Sequence, residues 1–396
     1  MASAVDIVVV GAGLVGAAAA LGLAQKGYSV VVFERRKPEI QHGKLGVDIR
    51  NVALSPASQS LLDSIDVWRS VSGAVPYRQM CVWEERGTKS MDFRASSVDR
   101  DELGWILEQS PLATLLWKHL EAEPNVELLL DAPLLDIQTD SDVVKLVTKD
   151  NEVETRLLLG ADGARSTVRE ILGVPSERVE TGHHALASVV RTELPHENVA
   201  YQRFLRTGPL ALLPGAEANL SSVVWSQPPE LAARRQALSE SEFCEELAQS
   251  LDFRLGAVKM VDERSVFPLE QMLVQSFNPH PRVLLIGDAA RILHPLAGLG
   301  VNLGFEDVRD VLQQLAGPPS NDPGTNGMWR QFARRRRARS QLLIGLMTAF
   351  RRIYAASDPF LQWARNAGVG WLDNATTVKA QLIKEALGLG SVAERL

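Results

Sequence analysis

An apolar run from Asp6 to Val10 gives way at Gly11 to a glycine turn, then to an alanine- and leucine-rich stretch, and Ser29 to Glu34 forms a second β-branched run. Continuous apolar runs flanking a helical stretch predict buried parallel strands joined by a crossover helix. Farther on, Leu61, Leu62, Ile65 and Trp68 fall at helical spacing within Ser58 to Trp68, while Tyr77 to Asp92 alternates around Met80, Val82 and Met91 as strands do. Ser110 before Pro111 predicts a helix start, with Ser110 as N-cap and Leu112, Leu115, Leu116 and Leu120 facing a core. Between Val126 and Leu159, three β-patterned runs divided at Asp131-Ala132-Pro133 and Lys149-Asp150-Asn151 predict an antiparallel meander.

From about Thr181 to Phe267 the pattern changes. Val189 to Thr192, Val199 to Leu205 and Leu220 to Ser226 read as strands, with the apolar segment Gly208 to Pro214 between them and a charged helical stretch over Pro228 to Leu251. A sheet with a helix over it, inserted into the first domain, accounts for this order. Arg282 to Ala290 returns to the buried-strand pattern, ending in Gly287-Asp288, and a glycine-rich loop then leads into a helix through Val308, Val311 and Leu312. After a Pro- and Gly-rich connection over 317–324, Trp329 to Tyr354 reads as one long helix. Arg334 to Arg337 and Arg339 precede an apolar face of Leu343, Leu346, Met347, Phe350 and Ile353. Two readings stay open for it: packing on its own domain with solvated arginines, or a basic amphipathic helix against an anionic membrane surface.

With 396 residues, 45% hydrophobic and 23% charged, the chain has the composition of a globular protein of more than one domain. A net charge of −6 argues against nucleic acid as the main partner. Cys81 and Cys244 form neither a disulfide framework nor a metal-binding pair, and no zinc spacing occurs, so no metal is expected and a reducing compartment fits. The N-terminal apolar run lacks a basic flank and carries Asp6, which argues against a signal peptide. The expectation is a cytoplasmic protein whose only membrane contact is peripheral, on the inner face.

Chemistry enters with Gly11-Ala12-Gly13-Leu14-Val15-Gly16 between the first strand and its helix, and with Glu34 closing the second strand. Gly11 permits the tight turn, Gly13 lets a pyrophosphate approach the backbone, and Gly16 lets helix lie on sheet. Phosphates then meet the free N–H groups and positive dipole of a helix N-terminus. An acid at Glu34 accepts hydrogen bonds from a ribose diol and repels a 2′-phosphate, so NAD or FAD is expected rather than NADP. Arg50 is placed to reach a cofactor phosphate or ring edge. Gly160-Ala161-Asp162-Gly163, at a second strand end opening a helix, suits a second contact on the same long cofactor, and Asp288 at a third strand end can accept from polyol hydroxyls.

Together these three segments resemble the signatures of group A flavin-dependent aromatic hydroxylases. Asp48-Ile49-Arg50, Leu103-Gly104-Trp105 with Glu108, Gly208 to Pro214 and His294 to Gly304 narrow the likeness to the ubiquinone-biosynthesis hydroxylases. The resemblance implies an α/β fold of the para-hydroxybenzoate hydroxylase type: a Rossmann-like FAD-binding domain (1–74, 104–178 and 276–320), an inserted β-sheet substrate domain (75–103 and 179–275) and a C-terminal helical region (321–396). FAD would be held by Gly11, Gly13, Gly16, Glu34 and Arg35, with Arg50 and Gln109 near its phosphates and ribityl chain. Gly287 and Asp288 would serve the ribityl hydroxyls, and Pro295, Gly298, Leu299, Gly300, Val301 and Asn302 the flavin ring through their backbone. Asp162 and Gly163 would serve both FAD and the approach of NADH or NADPH, which such enzymes bind without a second Rossmann domain. O₂ would supply the oxygen through a C4a-hydroperoxide of the flavin, and Leu210 to Pro214, with Leu212 and Pro214 foremost, would wall the prenylated aromatic substrate. Two positions depart from the family pattern: Arg291 stands where histidine is common and Leu299 where glutamine is common. Hydroxylation of a soluble aromatic, or a non-catalytic flavin-binding role in a biosynthetic complex, are the alternatives.

Overall fold

The computed structural model describes residues 5–85, 90–293, 299–317, 321–324 and 326–355. Strand β1 (Val5–Val10), helix α1 (Leu14–Gln25) and β2 (Val30–Glu34) form the opening βαβ unit, and α1 is buried along nearly its whole length. Beyond a long loop come β3 (Asn51–Leu54), α2 (Pro56–Ser64), β4 (Val75–Tyr77), β5 (Gln79–Glu84), β6 (Ser90–Arg94), β7 (Gly104–Glu108) and α3 (Gln109–Ala122). Strands β8 (Val126–Leu130), β9 (Asp136–Thr139), β10 (Val144–Val147) and β11 (Glu152–Gly160) precede a short helix, α4 (Thr167–Ile171). One sheet takes the order β8-β2-β1-β11-β10-β9, with a further strand, Val283–Leu285, pairing parallel to β11. Its parallel members carry the core because both faces are covered: Ile7, Val8, Val9, Val32, Leu158 and Leu284 are fully buried.

The second sheet is built from the inserted segment. Its strands are β12 (Ser176–Thr192), β13 (Val199–Leu205), β14 (Gly208–Pro214), β15 (Leu220–Gln227), β16 (Val258–Val261) and β17 (Ser265–Val274), with helices α5 (Pro229–Ala237) and α6 (Glu240–Ser250) between β15 and β16. After β18 (Val283–Leu285), the two-residue β19 (Arg291–Ile292) returns to pair with β17, and β5 and β6 extend the other edge beside β13. The pattern along β14 alternates strictly, with Leu210 and Leu212 packed against Trp225, Phe243 and Leu247 beneath α6. Helices α7 (Leu299–Gln314) and α8 (Asn326–Ala355) complete the chain as described.

Four expected elements differ. The residues before Ser110 form β7, which pairs with β3 and β4; α3 therefore starts at the strand end, with Glu108 at the N-cap position but its carboxylate accepting from Asp48 N, and the Ser110 hydroxyl accepts from Gln41 N at 3.0 Å. The expected three-run meander contains four strands, of which β8 pairs parallel to β2 on the far side of β1, because α3 carries the chain over the sheet in a crossover. The helix over 58–68 stops at Ser64, where Asp66 turns left-handed at φ +57°. The stretch 228–251 breaks into α5 and α6 at Ser239, whose side chain and that of Glu242 form a capping box.

Candidate active site

Parallel pairing brings together motifs that lie far apart in sequence. Val10 stands level with Phe33 on β2 and Gly160 on β11, and Gly160 with Leu285 on β18, so the segments after β1, β11 and β18 emerge side by side at the carboxyl edge of the sheet. Ligands of open α/β sheets bind at that edge. Gly11 adopts φ +96°, and a Cβ there would stand 2.6 Å from the Ala161 carbonyl oxygen. Gly13 caps α1, and a Cβ on it would meet nothing within 4 Å, so its backbone faces open space. Gly16 is the packing glycine: a Cβ there would lie 1.9 Å from the Gly11 oxygen.

The cleft beside these glycines has a volume of about 400 Å³, with Glu34, Arg35, Asp162, Gly163, Arg165 and Thr167 among its lining residues. Glu34 Oε2 accepts from Ala12 N and Oε1 from Arg35 N, each at 2.7 Å, which fixes the carboxylate between the glycine turn and the end of β2. Arg35 reaches across to Thr167 Oγ1 at 3.4 Å. Asp162 Oδ2 accepts from Val168 N at 3.1 Å, while its buried Oδ1 has no partner. A buried acceptor left open beside a backbone that any Cβ at Gly13 or Gly163 would leave unobstructed fits a dinucleotide with hydroxyls to donate. Ala132, Pro133 and Leu134 form an apolar wall of the cleft that the sequence pattern does not reveal, because they read there as a turn.

A second group gathers toward α7. Asp48, 1% exposed, accepts from Arg50 N at 2.8 Å and Ser110 N at 3.0 Å, and Gln109 N donates to the Arg50 carbonyl at 3.0 Å. Arg50 and Gln109 are thus neighbours, and the Arg50 guanidinium is held by Gln41 Oε1 at 3.0 Å. Gly287, at φ +58°, places Asp288 opposite Gly300: a Cβ on Gly300 would be 3.9 Å from Asp288 Oδ1. Surrounding protein raises the Asp288 carboxyl above its ordinary range; Arg291 opposes this and Asp307 adds to it. Asn302 commits its side chain to the neighbouring chain segment, accepting from Ser55 N at 2.9 Å and Ser58 Oγ at 2.7 Å and donating to Ala53 O at 2.7 Å. Leu299 and Gly300 begin α7 with Val301 following; Pro295 and Gly298 lie outside the described residues.

Two expectations are corrected by this geometry. Leu212 is 1% exposed in the core under α6, and the buried Pro214 shares its face, so neither walls a cleft; alternation gives the opposite face to Pro209, Ala211 and Leu213. In α8, Arg336 and Arg339 are neither solvated nor turned to a membrane: both are buried and ion-paired with Glu306, and Arg336 also with Asp307. The adjacent carboxylates Glu306 and Asp307 of α7 draw them inward. Of the expected apolar face, Leu346 is 58% exposed, Leu343 and Met347 are half-buried, and the side chains of Phe350 and Ile353 lie outside the described residues. Both cysteines are buried and free, and burial pushes the Cys81 thiol up to about 11, which makes it a poor nucleophile.

A glycine-turn cleft at the carboxyl edge of a parallel sheet, with a second, largely antiparallel sheet beside it, defines a protein of the dinucleotide-binding class. The chain belongs to the FAD binding domain family, which matches residues 4–344. It is 33% identical over 97% of its length, and 98% of the relative's, to the 3-demethoxyubiquinol 3-hydroxylase of Escherichia coli, and 31% identical to a ubiquinone hydroxylase of Rhodospirillum rubrum, covering 97% and 89%. Among solved structures, p-nitrophenol 4-monooxygenase of Pseudomonas putida superposes with a TM-score of 0.79 at 22% identity, over 98% of this chain and 99% of that one. The protein is an FAD-dependent aromatic hydroxylase, with NAD(P)H and O₂ as co-substrates.

Proposed function

We propose that this enzyme hydroxylates the aromatic ring of a polyprenylated phenol or benzoquinol intermediate in ubiquinone biosynthesis. The observation that carries the reading is the near full-length identity to two ubiquinone-pathway hydroxylases. When bound, FAD supplies the oxygen-transfer chemistry, and the chain must hold the flavin, place the ring and keep water out. In this reading Gly11, Gly13 and Glu34 hold the adenosine end, Asp162 offers its open Oδ1 to a cofactor hydroxyl, and Asp288 accepts from ribityl hydroxyls. Backbone N–H groups at Gly300 and Val301, in the first turn at the positive end of α7, stabilise negative charge on the flavin ring.

The substrate wall is assigned to the face of the second sheet turned away from α6. The register sets the half-buried Ala211 level with the half-buried Val224, and the half-buried Pro209 lies one step along β14 on the same face. Small side chains in the middle of a sheet leave room for a flat ring. A polyprenyl chain partitions into a bilayer, so the enzyme meets its substrate at a membrane surface or on a lipid-handling partner. Among the described residues no helix is long and apolar enough to cross a membrane. The test is NAD(P)H oxidation by the purified flavoprotein with and without a short-chain prenylated phenol, with the product followed by mass spectrometry. A product heavier by one oxygen and substrate-stimulated oxidation are expected; flavin bound normally with no hydroxylated prenyl phenol would refute the substrate assignment.

A further inference from the structure

Beneath the start of α7 lies a buried charge cluster that the reading above does not use. Asp307 is fully buried, and its carboxylate serves three donors: Oδ2 accepts from Gly287 N at 2.9 Å and Arg291 Nη1 at 2.7 Å, and Oδ1 from Arg336 Nε. Arg336, on α8, donates further to Glu306 Oε2 at 3.0 Å and to the Leu303 carbonyl at 2.9 Å. Arg339 closes the cluster with bonds to both Glu306 oxygens, at 2.9 and 3.0 Å. Three arginines thus face Glu306, Asp307 and the more distant Asp310, 3.9 Å from Arg336, and the charges balance.

The location gives the cluster a consequence beyond packing. Asp307 bonds the residue immediately before Asp288, and it stands two turns along α7 from Gly300. A Cβ on Gly304 would lie 3.5 Å from Gly287 Cα, so strand end and helix touch at this point. One carboxylate therefore fixes the spacing between the acid expected at the ribityl chain and the helix end expected at the flavin ring. Buried charges interact through a low dielectric, so an imbalance there is felt at the ring rather than screened by water.

We propose that Arg336 is a positioning residue for the flavin: through Asp307 it locks the Asp288 turn to α7 and, by neutralising the carboxylates below that helix, raises the flavin midpoint potential. The C-terminal helix thereby tunes a cofactor that it does not touch. This rests on FAD lying between Asp288 and the start of α7.

The experiment compares wild-type holoenzyme with Arg336→Gln, Arg336→Lys and Asp307→Asn, measuring FAD dissociation constant, flavin midpoint potential and melting temperature. Arg336→Gln leaves carboxylates in excess and disfavours the more negative reduced flavin; the potential is expected to fall by about 30 mV, a tenfold shift for a two-electron couple. Asp307→Asn leaves arginines in excess and is expected to raise it. Both should weaken FAD binding about tenfold, and Arg336→Lys should return the potential close to wild type while recovering affinity only in part. Lower melting temperatures with unchanged potentials, or potentials displaced in the same direction, would overturn the proposal in favour of a merely structural cluster. If the buried variants do not fold, Arg339→Gln at the cluster's outer edge decides: a smaller fall in potential supports the proposal and none overturns it. Wild-type protein without bound FAD would instead remove the functional reading itself, a distinct outcome.

Discussion

At the scale of single residues, the cofactor cleft combines positions that only one side chain can fill. Gly11→Ala combines a left-handed backbone, which costs a non-glycine residue about 1–3 kcal/mol, with a clash on the Ala161 carbonyl. We expect such protein to purify with little flavin, read as the ratio of 450 nm to 280 nm absorbance; a wild-type ratio would contradict the role of the turn. Asp288 is an exposed side chain, and the protein around it still raises its carboxyl above the unfolded value, so between the two the native state holds more protons and the stability of the apoprotein falls slightly as pH rises through that window. Water screens most of that cost, so Asp288→Asn should leave the apoprotein's melting temperature near wild type. The same change should weaken FAD binding by roughly tenfold to a hundredfold, the worth of a hydrogen bond to a charged acceptor. An undiminished affinity for FAD would count against this assignment.

At the scale of elements, the lesson lies in β14. Leu210 to Pro214 is plainly apolar in sequence, and apolarity alone cannot say which face of a strand meets a ligand. The side-chain period of two divides the segment between the core under α6 and the opposite face. Leu212→Ala should therefore cost about 2–5 kcal/mol in stability while KM for the aromatic substrate is unchanged. Ala211→Phe should leave melting temperature and flavin spectrum near wild type while abolishing product. Reversal of the two effects would restore Leu212 to the substrate wall. In α8, the arginine run was legible but its direction was not, because nothing in a helical periodicity announces that Glu306 and Asp307 wait on another helix.

At the scale of the molecule, the loop between β2 and β3 straps the two sheets together. It leaves the cofactor cleft at Arg35 and crosses to the second sheet, where Asp262, 2% exposed, accepts from Lys44 N at 2.9 Å and Leu45 N at 2.8 Å. It then returns to the start of α3 through Asp48. Gly43 admits no side chain, since a Cβ there would lie 2.3 Å from Asp262 Oδ2. Asp262→Ala leaves the strap's two backbone donors, and that of Glu263, without their acceptor and frees the strap; limited proteolysis should cut within 36–47 several times faster, with FAD bound more weakly. Equal cleavage rates in both proteins would show that the strap is held by other contacts.

The sequence by itself determined the opening βαβ unit, the three motif-bearing strand ends and the inserted sheet, because glycine turns and continuous apolar runs encode short-range geometry that few alternatives satisfy. Only the tertiary structure decided that β8 joins the far side of the parallel sheet, that Asn302 spends its side chain on Ala53, Ser55 and Ser58, and that Arg336 and Arg339 of α8 turn inward. Each of these depends on a partner dozens to hundreds of residues away. Local pattern records how a segment divides apolar from polar, whereas the partner of a buried polar group is fixed only when the fold brings the two together.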